Sequence, residues 1–476
     1  MRFGVSFAAV AACIGLASSQ AWSSEMTTPL RADQVRFVSL FKEMVETNTT
    51  ASSGSCTRAA EQVAARLKAA GYADADIHLF ADPERPQDGG IVATLPGRDP
   101  HRKAILLLAH LDVVEAHRED WTRDPFKLVE ADGNFYGRGV FDDKYHAAIW
   151  ADLMVRYKEE GYRPDRTVKM ALTCGEESSG LHGIDWVLQH HRDWVDAEFA
   201  LNEGGVGESD EHGTHVLLGV QTAEKVYQDF KLEVTNPGGH SSQPVKDNAI
   251  THLAGALVRL GDLEFPTQLN DTTRTYFTRL AAIKGGETGA AMQALVKNPQ
   301  DAEAAALINR NKAWHSMLRT TCVATMLNGG HATNALPQRA NANINCRIFP
   351  GDSVPYVLKT LTEAVNDPEV KVTVVPPQTL TPPPPPLTPA IMQPIERVAA
   401  EVYPGVPVVP KLETFATDGI YTNTAGIPTY GVWGLFVDGN LGNIHGLNEH
   451  VGVRELFLGR DFLYKLVKAY ALGKGR

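Results

Sequence analysis

Three short apolar runs, each followed by acidic residues or a histidine, constrain this chain more than any other feature. Runs of this length, separated by helical patterns, are typical of buried strands in a mostly parallel α/β sheet. Such sheets bind ligands outside the carboxyl ends of their strands, so we expect the side chains that follow the runs to converge. The runs and these side chains are 104–109 with His110 and Asp112, 167–173 with Glu176 and Glu177, and 197–201 with Glu203.

Two further candidate ligands, Asp142 and His445, lie outside these runs. Asp142 and Asp143 follow a segment rich in glycine and stand where a helix is predicted to begin, and His445 stands in a loop rich in glycine and asparagine. Taken alone, the aspartates fit helix capping equally well, and Glu176–Glu177 fits a solvated acidic pair. Side by side at a strand exit, however, two glutamates suit two tasks, because one can hold a metal while the other takes a proton from water.

Together these residues have the composition of a two-zinc site. Zinc in hydrolases takes nitrogen and oxygen ligands, and a pair of zinc ions needs a bridging carboxylate. Asp112 lies two residues after His110 in a strand-like segment, so its carboxylate is expected to hydrogen-bond the far ring nitrogen of that histidine. Two histidines, two terminal carboxylates and one bridge are supplied by His110, Asp142, Glu177, Glu203 and His445.

The chain of 476 residues is long enough for two domains. Strands and helices alternate up to residue 219 and again after 388. Between them the order β-α-β-β-α-β, read without the Ala-rich and helical segment 262–320, is ferredoxin-like. The predicted division is 1–21 signal peptide, 22–219 and 389–476 catalytic domain, 220–375 inserted domain, and 376–388 proline-rich linker.

The amino terminus has the pattern of a secretory signal, with Arg2, an apolar run too short to span a membrane, and small residues before a cleavage site near Ala21. Lipoprotein acylation at Cys13 is a minor alternative. Of the remaining cysteines, Cys322 and Cys346 lie on predicted strands about equally far from a turn. A disulfide between them is therefore expected, with two buried thiols as the alternative. The net charge of −11 argues against nucleic acid as a partner.

Short polar and glycine-containing motifs recur along the chain. They are His-Leu-Asp at 110–112, Tyr-Gly-Arg-Gly at 136–139, Asp-Asp-Lys at 142–144, Gly-Glu-Glu at 175–177, Asn-Glu-Gly-Gly at 202–205, Gly-Gly-His-Ser-Ser at 238–242, Thr-Asp at 417–418 and His-Gly at 445–446. In this order along the chain, they closely resemble the aminoacylase/carboxypeptidase S family of di-zinc metallopeptidases, which also includes carnosinase-like dipeptidases and succinyl-diaminopimelate desuccinylase. The resemblance implies a zinc-exopeptidase-like doubly wound α/β sheet with an inserted ferredoxin-like α+β dimerisation (lid) domain.

The resemblance also implies a role for each matching position. His110 and Glu203 would hold one zinc, Glu177 and His445 the other, Asp142 would bridge them, Glu176 would be the general base and acid, and Asp112 would support His110. His240 would reach into the partner subunit's site, and Asn334 and Arg347 would contact a substrate carboxylate. Tyr145 departs from the family, which usually has glycine there, so the pocket floor is expected to change.

The expected protein is an exported, homodimeric di-zinc hydrolase that cleaves the amide bond of small peptides next to a free carboxylate. The alternative within enzymes is an N-acyl amino acid amidohydrolase. A non-catalytic binding protein of the same fold should lack Glu176 or a metal ligand, and this sequence lacks none.

Overall fold

The three apolar runs form neighbouring parallel strands at the centre of a mixed ten-stranded sheet. Ile105–His110 pairs with Val168–Thr173 on one side and with Phe199–Asn202 on the other. Alternate side chains of the first strand enter two different cores, Leu107 on one face and Leu108 on the other. The strand is apolar throughout because helices cover both faces of the sheet, as in doubly wound folds.

The computed structural model describes residues 29–178, 182–437 and 439–472. The predicted signal peptide and Cys13 therefore lie outside the described residues. In spatial order, the large sheet contains Ile77–Asp82, Arg85–Leu95, Val168–Thr173, Ile105–His110, Phe199–Asn202, Thr429–Gly431, His215–Glu224, Gly207–Ser209 and Phe436–Val437, with Val408–Glu413 beside His215–Glu224.

Helices cover the two faces of this sheet. One core is built mainly on the helices Ala32–Glu46, Cys56–Ala69, Lys144–Glu159, Pro389–Val402 and Val453–Ala471. The opposite core receives Gly183–His190 and Arg192–Val195, next to the short helix Gly419–Thr424. Small elements complete this part of the chain, namely Asp74–Asp76, Leu441–Asn443 and the three-stranded sheet of His450–Gly452, Asn134–Tyr136 and Val129–Ala131.

The inserted region forms a separate four-stranded antiparallel sheet. Its spatial order is Thr321–Gly329, Arg339–Ile348, Val226–Thr235 and Val370–Val374, and the helices Ala249–Gly261 and Val354–Val365 pack on it. Two helices on a sheet with this strand order are the predicted ferredoxin-like arrangement, so the predicted fold class is confirmed. A two-stranded ribbon, Gly239–His240 with Ala335–Leu336, extends from it.

The helical segment 262–320 belongs with the large sheet. Its helices Asp271–Lys284, Gly286–Lys297, Ala302–Ile308 and Lys312–Met317 share a core with Leu217, Ala223, Val409 and Leu412. The predicted start of the inserted domain at 220 also falls within His215–Glu224, a strand of the large sheet. Apolar helix faces therefore attach part of the inserted sequence to the catalytic sheet. Across the described ranges, no helix is both long and apolar enough to cross a membrane.

Candidate metal centre

Asp142 lies between the two predicted histidine ligands and directs one oxygen toward each. Its Oδ1 is 3.1 Å from His110 Nε2, and its Oδ2 is 3.1 Å from His445 Nε2. His110 ends a central strand, whereas His445 lies in a loop more than 300 residues later in the chain. The fold thus brings a carboxylate between two imidazoles, as a ligand that bridges two metal ions requires.

Two glutamates complete the cluster on opposite sides of Asp142. Glu177 Oε1 is 2.7 Å from His445 Nε2, and Glu203 Oε2 is 3.8 Å from His110 Nε2. Each histidine therefore has its own terminal carboxylate beside it. The structure brings together all five predicted metal ligands, His110, Asp142, Glu177, Glu203 and His445.

Asp112 supports this cluster by contacts that differ from the predicted one. The His110 Nδ1 lies 3.0 Å from the main-chain oxygen of Asp112, whereas the nearest carboxylate oxygen of Asp112 is 3.7 Å away. The Asp112 carboxylate instead accepts the Glu177 main-chain N–H at 2.9 Å. Asp112 therefore contacts His110 through its main-chain oxygen and Glu177 through its carboxylate, so it orients one histidine and one glutamate.

Asp143, for which the sequence predicts no role beyond helix capping, is also a member of the cluster. It immediately precedes helix Lys144–Glu159, but its side chain makes no capping hydrogen bond. Ligand atoms of Asp143, His110 and Glu203 instead lie within 4.8 Å of one another, as do those of His110, Asp142 and Glu177. Asp143 is fully buried, and burial raises its pKa well above the usual value.

The raised pKa values of the two cluster histidines show that the surrounding carboxylates favour positive charge at this site. Hydrogen bonds to Asp142 and Glu177 raise the pKa of His445 to about 10. Burial opposes protonation of His110, but the carboxylates of Glu203, Asp142 and Glu176 outweigh it and raise the pKa of His110 well above its usual value. Acidic groups packed this closely need positive charge among them, and imidazole with carboxylate is a donor set that suits zinc.

Glu176 lies among these charges without being one of the metal-type ligands. Burial raises its pKa well above the usual value, and repulsion from Glu177, Asp418 and Asp142 acts in the same direction. A carboxyl group at this position can accept a proton from water and return it to a leaving group. Its neighbour Asp418, from the Thr-Asp motif, accepts the Thr173 hydroxyl at 3.1 Å, and burial raises the pKa of Asp418 to about 7.

Tyr145, expected at the pocket floor, lies in the core instead. Its hydroxyl donates to the Trp433 main-chain oxygen at 2.8 Å, and its ring is fully buried. Gly459 makes room for it, because a Cβ added there would lie 2.3 Å from the tyrosine oxygen. The tyrosine at position 145 is therefore accommodated by packing between helices Lys144–Glu159 and Val453–Ala471.

The three predicted residues of the inserted domain stand apart from the metal cluster. His240 is exposed, and its Nδ1 lies 2.7 Å from the Ser242 hydroxyl. Asn334 is also exposed, and its main-chain oxygen accepts the Ser241 N–H. Arg347 lies over the Tyr227 ring at 4.9 Å. Within the described ranges, no hydrogen bond or ion pair joins any of the three to the cluster.

Two disulfides are present in the described residues. Cys322 and Cys346 are directly opposite each other on paired strands and are bridged, so that prediction is confirmed. The second bridge joins Cys56 to Cys174, 118 residues apart, and the sequence analysis did not identify it. Cys174 lies two residues before Glu176, a spacing that could have drawn attention to it. This bridge ties the Glu176–Glu177 loop to the start of helix Cys56–Ala69.

Comparison with known proteins gives consistent matches. The model of peptidase family M20/M25/M40 matches residues 106–469. The human N-fatty-acyl-amino acid synthase/hydrolase PM20D1 is 30% identical over 387 residues, which cover 79% of this chain and 76% of that protein. Carboxypeptidase S of Saccharomyces cerevisiae is 26% identical over 298 residues, covering 60% and 52% of the two chains.

Solved structures share the fold along almost the whole chain. The M20 family metallo-carboxypeptidase Sso-CP2 from Sulfolobus solfataricus superposes with a TM-score of 0.68 at 15% identity and covers 93% of this chain and 100% of that one. Human carnosine dipeptidase 1 gives 0.61 at 17% identity and covers 92% and 97%.

Proposed function

This chain belongs to peptidase family M20/M25/M40, and we propose that it is an exported di-zinc hydrolase that cleaves an amide bond beside a free carboxylate. The family membership makes it a metal-dependent hydrolase of the peptidase or amidohydrolase type, so the relationship expected from the motifs is confirmed. The number and identity of the metal ions, the substrate and the export belong to the proposal.

The observation that carries the proposal is the position of Asp142 between two histidines. One oxygen at 3.1 Å from His110 and the other at 3.1 Å from His445 fit a carboxylate shared by two ions. His110, Glu203 and Asp142 would hold one zinc, and His445, Glu177 and Asp142 the other. When bound, the two ions would make a water more acidic and polarise the scissile carbonyl.

The residues of the chain would then handle the proton and the substrate. Glu176 accepts a proton from the attacking water and returns it to the leaving nitrogen, so one carboxyl serves as base and acid. Arg347 pairs with a substrate carboxylate, because a guanidinium presents parallel donors that match both carboxylate oxygens. Asn334 adds a further polar contact to that carboxylate.

The acyl side of the substrate has two candidates. Peptides fit the carboxypeptidase S and carboxypeptidase S-like relatives, which match this chain at 26–29% identity. N-fatty-acyl amino acids fit the PM20D1 relatives, whose human member matches at 30% over 79% of this chain. The match to PM20D1 favours N-acyl amino acids as a second substrate class. In both substrate classes the cleaved amide lies next to an amino acid with a free carboxylate.

A homodimer would complete the site. Strand Thr321–Gly329 is at the edge of the four-stranded sheet and exposes large apolar side chains, Val323 at 61%, Met326 at 71% and Leu327 at 69%. An unpaired edge with exposed apolar residues favours pairing with a second copy. The dimer would bring the exposed His240 of each chain to the partner subunit's site.

Export is supported by the signal-like amino terminus and by cysteine pairing. All four cysteines of the described residues are in disulfides, which form and persist in oxidising compartments. In a bacterium that compartment would be the periplasm.

The test is metal analysis combined with a substrate panel. The purified protein should contain two zinc ions per chain, lose activity with a chelator and regain it with zinc. Dipeptides and N-acyl amino acids should be cleaved, and versions amidated at the carboxylate should not. Activity that survives complete removal of metal, or equal rates on amidated substrates, would refute the proposal.

A further inference from the structure

A buried ion pair outside the predicted ligand set joins two regions of the metal centre. Arg138 Nη1 donates to Glu449 Oε2 at 2.7 Å, and the two side chains are 3% and 0% exposed. The partners are 311 residues apart in the sequence. Arg138 belongs to the Tyr-Gly-Arg-Gly motif, and Glu449 comes four residues after His445.

Glu449 holds the backbone that carries the proposed bridging ligand. Its Oε1 accepts the N–H groups of Phe141 at 2.9 Å and Asp142 at 3.0 Å, while its Oε2 accepts the N–H of Gly139 at 2.9 Å. With the Arg138 guanidinium, four donors converge on one carboxylate. Hydrogen bonds to a buried charge are stronger than neutral ones, so this carboxylate fixes the backbone position of Asp142.

Arg138 holds the loop of the second histidine with its other guanidinium nitrogen. Nη2 donates to the main-chain oxygens of Gly446 at 2.9 Å and His445 at 3.3 Å. His445 has a φ of +60°, in the left-handed region that non-glycine residues rarely adopt. Leu441, Asn443 and Asn448 in the same loop also have positive φ. A backbone in this state persists only where surrounding contacts hold it.

We propose that Arg138 and Glu449 are positioning residues that set the distance between Asp142 and His445 and so create the second metal position. The inference rests on the proposed di-zinc function. Neither side chain would touch zinc or substrate. Their effect would pass through main-chain groups at both loops, and a guanidinium is needed because it donates in two directions at once.

The experiment measures zinc affinity in Glu449→Gln and Arg138→Lys. Glu449→Gln keeps the side-chain size but removes the charge, and Arg138→Lys keeps the charge but removes the forked donors. Both should lower the affinity for the weaker-bound zinc by about 10–100-fold, the usual effect of losing a group that orients a ligand. The first zinc should be retained, and excess zinc should restore part of kcat.

The control is Asp152→Asn, which weakens the buried pair of Arg460 with Asp152, 2.9 Å apart and away from the metal centre. It should lower the unfolding temperature without changing zinc affinity. Parental zinc affinity in both test variants, or an equal loss in Asp152→Asn, would overturn the positioning role. A parent protein without zinc would instead overturn the proposed function, so the two failures are distinguishable. If Glu449→Gln does not fold, Arg138→Lys carries the test.

Discussion

The predicted site residues of the metal cluster contact one another, and those of the inserted domain do not. His110, Asp142 and Glu203 are 2–9% exposed and the His445 side chain is 51% exposed, but all four lie within hydrogen-bond or ion-pair distance of another cluster member. His240 and Asn334 are exposed, and within the described residues their hydrogen bonds go to residues in or next to the ribbon. The cluster is thus assembled within one chain. The groups proposed to contact substrate would need a substrate or a partner subunit to form their contacts.

This difference separates the requirements of metal binding from those of catalysis. Metal binding should depend on the single chain and on the contacts that hold the loops. Catalysis should depend in addition on how the inserted domain meets a partner subunit. Variants that disturb the contacts of the cluster should therefore change zinc content, whereas variants in the inserted domain should change activity alone.

The largest effect is expected from Glu176→Gln in the cluster. Loss of the proton-transferring carboxyl should lower kcat by about 10²–10⁴-fold, the usual contribution of general acid–base catalysis. Zinc content should stay at the parental value, because Glu176 is not among the proposed ligands. Steady-state kinetics and elemental analysis would measure both, with the exposed Glu211→Gln as the matched control. A variant that loses zinc would show that the roles of Glu176 and Glu177 are reversed.

The two disulfides, one in each region, give the next comparison. Replacing Cys56 and Cys174 by alanine opens a loop of 118 residues, and replacing Cys322 and Cys346 opens one of 24. Loop-closure entropy predicts losses of about 5 and about 3.5 kcal/mol in the free energy of unfolding. Denaturant titration of both double variants would measure this. If the two double variants lose equal free energies of unfolding, or if the loss is larger without Cys322–Cys346, then the disulfides do not stabilise the fold mainly by restricting the unfolded chain.

The sequence predicts His110, Glu177 and Glu203 because they follow strands, whereas the roles of Asp142 and His445 come from the family resemblance. Apolar runs at 104–109 and 167–173 are typical of buried strands, and because parallel strands end at the same edge of a sheet, the residues after them are expected to converge. The Cys322–Cys346 bridge is predictable for a similar reason, since antiparallel register fixes which residues face each other across a turn. The strand-end ligands and the Cys322–Cys346 bridge can therefore be predicted from hydrophobic periodicity and local strand register.

The remaining features depend on contacts that no local pattern encodes. Cys56 and Cys174 meet only because a helix packs over the end of a strand, and Glu449 reaches Asp142 from a loop 307 residues away. Segment 262–320 is clearly helical in sequence, yet only tertiary packing assigns it to the large sheet. The side-chain direction of Tyr145 depends on space left by Gly459, which is equally remote.

In the inserted domain, His240→Ala should affect catalysis without affecting metal. If His240 stabilises the developing oxyanion, its loss should cost about 2.7–4 kcal/mol, or roughly 10²–10³-fold in kcat. Zinc content should be unchanged. Mixing His240→Ala with Glu176→Gln under subunit exchange should restore activity, because each mixed dimer contains one intact site. Exchange confirmed by mass spectrometry without recovery would show that His240 does not act across subunits.

The smallest effect is expected at the edge strand, where Met326→Lys should weaken the dimer. Met326 is 71% exposed in the single chain. Burying such a side chain contributes about 1.5–3 kcal/mol, so its replacement by lysine should raise the dimer dissociation constant roughly 10–200-fold. Sedimentation over a concentration series would measure this, with Val35→Lys on the distant helix Ala32–Glu46 as control. Dilution should then lower the specific activity of Met326→Lys at constant zinc content, because separated subunits keep their metal but lose the partner's histidine. Full activity in a demonstrated monomer would mean that the inserted domain acts within its own chain.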